Sequence, residues 1–494
     1  MRVVLKLGCA LLATALVLHA GCAQTDPLEV QKQTPSHHSA SFSKPYEKTP
    51  PAPSPEKPSL LKEGPLSLAQ CIYLALENSP QLRSSWRDTR SSAATVGQAL
   101  SRFYPQLEFN ANYQRTQSQV LTEVDTKYLR SVHDAHFSVT QLILDGGRRE
   151  ASLAAAKESL RSANFLHNST LLDVALQTET NYYNLLGAQA LLEVAQESLK
   201  RREHHVELAE RKYESGLARK VEVSQARAKR ADAKLSVVEA RSRVRRARGQ
   251  LATSMGLAVS SDVNIKRVPP KDEKERTKQA DALLDEAVKH RPRLKAAAAE
   301  LKRMQKQLKA EKAARWPTLQ ATAQYGRRDE HSLPEERPDW SVGLGFKLPL
   351  FTGFQRTYKI IQAREKLEKA NADYENLLRN VEQDIWKAYS EVLRTNEAVI
   401  AAQSFVESAR ENVETAEKAY DSGLANITEL IDAQTTFTRA RKRLATARLE
   451  QRMATARLER SVGRSWKPRV EDVTREIEKA DLGTEYDLEP PESQ

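Results

Sequence analysis

Large aromatic side chains are scarce in this chain of 494 residues, at 6% of the total, and its long stretches of Ala, Leu, Glu, Lys, Arg and Gln contain almost no Gly or Pro. A thick globular core is thereby excluded, although the length alone would suit about three ordinary domains. Charged residues reach 29%, so long helices in thin layers, solvated on at least one side, fit better: a bundle or tube. Cysteine is as scarce. Of the three, Cys9 lies in an apolar leader, Cys22 just after it and Cys71 alone in the first mature helix, which leaves no disulfide framework and makes Cys71 a small buried residue. No nucleotide-binding loop, nucleophile triad or zinc spacing occurs. The pairs His37-His38 and His204-His205 are adjacent residues, and on a helix such neighbours point apart. No catalytic residue, metal site or cofactor is therefore expected.

The net charge of +12 is densest at Lys229, Arg230, Lys234, Arg241, Arg243, Arg245, Arg246 and Arg248. A solvated helix face explains such a run before an anionic partner does. Nucleic acid is disfavoured further by an export signal over residues 1–21, where Arg2 and Lys6 precede an apolar run from Leu7 to Ala20, too short to span a bilayer as a helix. Ala20-Gly21-Cys22 resembles a bacterial lipoprotein box and makes Cys22 the candidate lipidation (palmitate) site. The usual Leu three before the cysteine is His19, with Leu18 displaced by one, so cleavage near Ala23 is the alternative. Residues 22–65, rich in Pro, Ser, Lys and Gln, read as an extended tether.

Beyond the tether the chain is written twice. Asn78-Ser79-Pro80-Gln81-Leu82 answers His290-Arg291-Pro292-Arg293-Leu294, Tyr104-Pro105-Gln106-Leu107 answers Trp316-Pro317-Thr318-Leu319, and Tyr113 answers Tyr325, all offset by 212. Asp145-Gly146-Gly147 answers Thr352-Gly353-Phe354, Tyr213-Glu214-Ser215-Gly216-Leu217-Ala218 answers Tyr420-Asp421-Ser422-Gly423-Leu424-Ala425, and Met255-Gly256 answers Val462-Gly463, all offset by 207. The first repeat is thus 66–256 and the second 280–463, joined by a connection over 257–279 and followed by an acidic tail over 464–494. The single five-residue slip, between Tyr113 and Asp145, marks a surface loop.

Each half holds a hairpin there. Strands are expected at about 105–116, 132–144, 317–327 and 339–350, where Leu107, Phe109, Ala111 and Tyr113, or Trp340, Val342, Leu344 and Phe346, alternate with polar residues. Strands of about ten residues with one apolar and one polar face suit a membrane barrel, which four strands cannot close alone, so protomers must share it. A soluble sandwich, or an amphipathic hairpin lying on a bundle, is the alternative. Uninterrupted helical stretches run from about 148 to 213 and 355 to 420, ~100 Å each. Ala402, Val406, Ala409, Val413, Ala416 and Tyr420 form a coiled-coil seam, copied as Ala195, Leu199, Arg202, Val206, Ala209 and Tyr213. Return seams follow, Leu430, Ala433, Phe437, Ala440, Leu444 and Ala447 answering Val223, Ala226, Arg230, Ala233, Val237 and Ala240. The chain reverses at Gly216 and Gly423, making tips at about 214–220 and 421–427.

Over 66–463 these residues resemble the TolC-like outer-membrane efflux family, in its outer-membrane factor lipoprotein type. The twofold repeat, Tyr-Pro-Gln-Leu and Trp-Pro-Thr-Leu, Leu-Phe-Thr-Gly-Phe at 350–354 and the run from Tyr420 to Ala433 carry the likeness by their order and spacing. The resemblance implies a mainly α protein with a membrane β part: a homotrimer whose protomers each give four strands to a shared twelve-stranded β-barrel, continued by a coiled-coil periplasmic tunnel. It implies no catalysis. Substrates are handed over by an inner-membrane pump, proton-driven or ATP-driven, and a periplasmic membrane-fusion adaptor, and the tips part to open. Read onto this chain, Glu429 and Asp432 take the pore-lining acidic positions, with Glu222 the first-half equivalent of Glu429. Tyr420 matches the latch tyrosine, with Glu222 its candidate partner and Tyr213 its repeat mate. Some members carry a latch arginine where this chain has Ala425, which makes Arg219 the candidate replacement.

The leading expectation is a passive conduit of a tripartite efflux system in the outer membrane of a Gram-negative type bacterium, lipid-anchored and reaching into the periplasm. The outer-membrane stage of type I protein secretion is the alternative, and a non-conducting periplasmic coiled-coil scaffold comes from another class. Substrate and pump class are not written in the chain. The acidic tail is expected to wrap the equator of the tube or stay free of it.

Overall fold

The computed structural model describes residues 64–120, 126–266, 280–330 and 337–463. The expected signal peptide, Cys22, His37-His38, nearly all of the tether, residues 267–279 of the connection and the tail lie outside them. The described elements are α1 (Leu68–Asn78), α2 (Pro80–Ser101), β1 (Gln106–Val120), β2 (Thr126–Leu144), α3 (Arg148–Glu214), α4 (Lys220–Ser254), α5 (Ala280–His290), α6 (Pro292–Ala313), β3 (Thr318–Glu330), β4 (Arg337–Lys347), α7 (Gln355–Asp421) and α8 (Ile427–Val462). They fall into two compact units, one of Arg87–Asn164 and Ala296–Tyr374, the other of the remaining described residues.

The first unit holds one antiparallel sheet in the order β1-β2-β3-β4. Period-2 alternation sends one set of side chains to each face, and the register lines the sets up across strands. Phe109 pairs with Phe137, Phe137 with Tyr325 and Tyr325 with Trp340, an aromatic row whose members are 52–64% exposed. The opposite face carries rows such as Glu108, Ser138, Gln324 and Ser341. Among the described residues, β1 and β4 each pair on one side only.

Strand limits differ from expectation for physical reasons. β1 runs on to Val120 and β2 starts at Thr126 because their polar ends pair with each other, a ladder that apolar alternation cannot reveal. β4 begins earlier, at Arg337, with Pro338 tolerated on an edge. It ends at Lys347, two residues before Pro349, which has no N–H to give. The five-residue slip lies beyond the pairs Tyr113↔His133 and Tyr325↔Trp340: the first hairpin continues for seven paired positions, the second for three. Added rungs therefore take up length that was expected in a loop.

At the exit from β2, Arg149 is 7% exposed. Its guanidinium donates to the carbonyls of Leu142 at 2.7 Å and Ile143 at 2.9 Å, lies 3.4 Å from Asp145 and stacks over Phe103.

The second unit is helical. Ser67 and Gln70 form a capping box that starts α1, and Leu66 bridges to Ile265, which ties the described start of the connection to the first repeat. Cys71, Leu74, Tyr182, Leu185, Leu251, Met255 and Val263 make its main core. Cys71 is fully buried, and burial pushes its thiol up to about 12, so it packs as an apolar residue. The expected seams are the contacts between paired helices: Val206 and Ala209 with Val223 and Ala226, and Ala409 and Val413 with Ala433, Phe437 and Ala440. Burying each Val or Phe in this way stabilises by about 1.5–3 kcal/mol. Two seam positions break the pattern: Arg230 and Tyr213 are exposed.

Candidate functional site: the two hairpin tips

Both tips are built by the same backbone bonds. After α3, the N–H groups of Leu217 and Ala218 donate to the Lys212 carbonyl at 2.8 and 3.1 Å; after α7, those of Leu424 and Ala425 donate to the Ala419 carbonyl at 2.8 and 3.1 Å. Gly216 and Gly423 sit at φ of 75° and 78°, left-handed values that side chains resist. Ser215 and Ser422 each turn their hydroxyl back to the carbonyl four residues earlier, Arg211 or Lys418.

The helices that leave the tips are capped differently. Asn426 accepts from the Glu429 N–H at 3.1 Å and donates its side-chain amide to the Glu429 carboxylate at 3.0 Å. Arg219 holds the corresponding place in the first tip, and its Nε lies 3.4 Å from Glu222. Glu429 and Asp432 are exposed, three residues apart on the first turns of α8, where the helix N-terminus favours negative charge. Glu222 is half-buried against Arg219.

Tyr420 is buried at 2% exposure, whereas its repeat mate Tyr213 is 46% exposed. The hydroxyl of Tyr420 has no hydrogen-bond partner among the described residues. Burial, then the charges of Glu222 and Asp421, push its pKa up. The expected bond from Tyr420 to Glu222 is therefore not formed in this chain by itself. Arg219, 83% exposed, engages its own helix. The cation at Tyr420 is Lys212, whose ammonium lies 4.0 Å from the ring centre and donates to the Tyr420 carbonyl.

Two further residues join the hairpins. Arg202, 6% exposed, donates to the Thr435 hydroxyl at 2.8 Å and more weakly to the Ile431 carbonyl at 3.4 Å on α8. His205, 3% exposed, lies 3.7 Å from Glu417 of α7 and makes no hydrogen bond. Burial first, then Arg202, His204 and Arg201, push its pKa down to about 4. Its neighbour His204 is exposed beside Glu207, so the two rings do point apart. Arg441 of α8 reaches the other way, to Glu197 of α3. Sequence reasoning missed Lys212 and His205. For Arg202 there was a signal, a cation in an apolar seam where the second repeat has Ala409.

The arrangement is a pair of helical hairpins held by side-chain ties, with carboxylates at one exposed tip and no helix, among the described residues, long and apolar enough to cross a membrane. Protein CyaE of Bordetella pertussis is 25% identical over 381 residues, covering 76% of this chain and 80% of its own length. Outer membrane protein TolC of Escherichia coli is 24% identical over 404 residues, covering 77% and 79%. The solved outer-membrane channel OprN superposes with a TM-score of 0.73 at 19% identity, over 81% of this chain and 91% of that one, and so shares the fold. The outer membrane efflux protein family model matches residues 71–257 and 283–464, one segment for each repeat. Its match over both halves settles the assignment: the chain belongs to the outer membrane efflux protein family, is an outer-membrane protein that extends into the periplasm, and is no enzyme.

Proposed function

We propose that the chain is one protomer of a homotrimeric efflux channel whose three sheets close a twelve-stranded barrel and whose paired helices form the periplasmic conduit. The observation that carries this reading is the sheet, with an aromatic face left exposed, a polar face opposite and two edges free among the described residues. Free edges in a membrane leave backbone groups unpaired, and only closure satisfies them. Further copies of the same chain supply matching edges, and membrane barrels need about eight strands at the least. Lipid on Cys22 anchors the protomer.

In this reading the tips are the gate, parted by a periplasmic adaptor in concert with an inner-membrane pump. Threefold symmetry turns Glu429 and Asp432 into rings of charge that attract cations and bind divalent ions. Lys212 takes the part of the latch cation missing at Ala425. Conductance of the full chain in planar bilayers tests the proposal. Cation-selective current blocked by divalent ions is expected, with selectivity and block both reduced in Glu429→Ala/Asp432→Ala. No current would leave the scaffold reading standing, and unchanged block would remove both carboxylates from the constriction. The type I secretion alternative is separated by the partner cross-linked in cells: an ATP-driven exporter together with a large secreted protein favours secretion, and a proton-driven pump favours efflux.

A further inference from the structure

Between α3, α4 and α8 lies a cleft of about 280 Å³, within the second unit, that carries four cations and one carboxylate. Arg202 lines its inner wall, while Lys229, Arg439 and Lys442 stand exposed around it and Asp232 is the single acid. Ser198 and Thr438 add hydroxyls, 3.3 Å from each other.

Arg202 is what makes this more than a basic patch. Its side chain is 6% exposed, its Nη2 has only a hydroxyl and a carbonyl for partners, and its Nη1 has none. A buried charge with neutral partners alone is costly, and so is a buried donor left unmade. Asp232 and Asp432 act on Arg202 only at a distance, since neither forms an ion pair with it. Lys229, Arg439 and Lys442 likewise form no ion pair among the described residues.

We infer that this cleft binds a small tetrahedral oxyanion of the phosphate class, drawn by the uncompensated charge of Arg202 in its wall and held by Lys229, Arg439 and Lys442 at the rim. Donors that converge from α4 and α8 over a charge on α3 suit a tetrahedral acceptor better than a planar carboxylate. A bound anion would tie α3 and α4 of the first hairpin to α8 of the second. The binding does not depend on the proposed gate, so a channel without an anion site and an anion site without a channel are distinguishable results.

The test is calorimetric titration of the purified full chain with inorganic phosphate in place of chloride at constant ionic strength, with acetate as the planar competitor. One saturable phosphate per chain is expected, weakened about tenfold or more in the surface variant Arg439→Ala/Lys442→Ala and in Arg202→Gln, which removes the charge in the wall. Phosphate should also slow amide exchange over residues 435–442. The rim variant changes exposed residues only, so its loss of binding cannot come from misfolding. No saturable binding above chloride, binding indifferent to the rim variant, acetate binding as tightly as phosphate, or binding without slowed exchange over 435–442 would each overturn the inference.

Discussion

The tips at Gly216 and Gly423 repeat each other bond for bond in the backbone, yet their side chains take opposite parts. The first hairpin sends cations outward, Lys212 to the ring and carbonyl of Tyr420 and Arg202 to Ile431 and Thr435. The second receives these two, and at the equivalent positions it has Ala419 and Ala409, which can send nothing, although Arg441 farther from the tip reaches back to Glu197. A duplicated backbone therefore provides two matched hairpins, and divergence of a few side chains decides how they hold each other. Tyr420 is buried among Ile427, Leu430 and Ile431, with Leu208 packed against the cluster, whereas the first tip has Lys220 and Ser224 where the second has Ile427 and Ile431, and Tyr213 stays exposed.

That comparison can be broken most sharply through His205, whose repeat mate is Asn412. Burial keeps His205 neutral down to about pH 4, while the unfolded chain binds the proton near 6.5. The second unit should be fully stable above 6.5 and lose up to about 3 kcal/mol as pH falls from 6.5 to about 4. Denaturant titration across that range should find this slope in the wild-type chain and a flatter one in His205→Gln; equal slopes would place the proton elsewhere. A smaller effect is expected at Lys212. Lys212→Met removes a cation from an aromatic face and a carbonyl, costing about 2 kcal/mol, and should raise the leak of the closed channel in planar bilayers. The exchange Lys212→Ala/Ala419→Lys should not restore it, because Tyr213 is exposed; full rescue would make the two tips interchangeable. The smallest effect tests what the tips share. Gly216→Ala and Gly423→Ala should each cost about 1–2 kcal/mol by thermal unfolding, and to the same extent, since both glycines hold the left-handed conformation. A cost at one tip alone would show that the shared backbone is not equally strained.

Much of the fold was legible in the residues. Period-2 alternation announces four strands and long seams announce four long helices, because both patterns are local consequences of which face meets a partner. Gly216 and Gly423 mark the reversals for the same reason. The ends of β1 and β2 were not legible, since Gln114 to Gln119 carry no apolar alternation and become strand only by pairing. The site divides the same way. Glu429, Asp432 and Tyr420 stand in a recognisable run, but Lys212 looks like any surface lysine of a helix end, and its role depends on a ring 208 residues away. By sequence Arg219 is the better placed cation, and the short turn gives it to Glu222 on its own helix instead.

By itself, then, the sequence determined the twofold plan, written in matches about 210 residues apart, and the strand and helix types and the places where the chain turns back, which are set by neighbours within a few residues. Tertiary structure alone decided that β2 pairs with β3, that His205 is buried while His204 is not, and that Lys212, not Arg219, meets Tyr420. Those outcomes depend on which hairpin face lies against which, and the energy that selects among faces comes from contacts between segments some 200 residues apart.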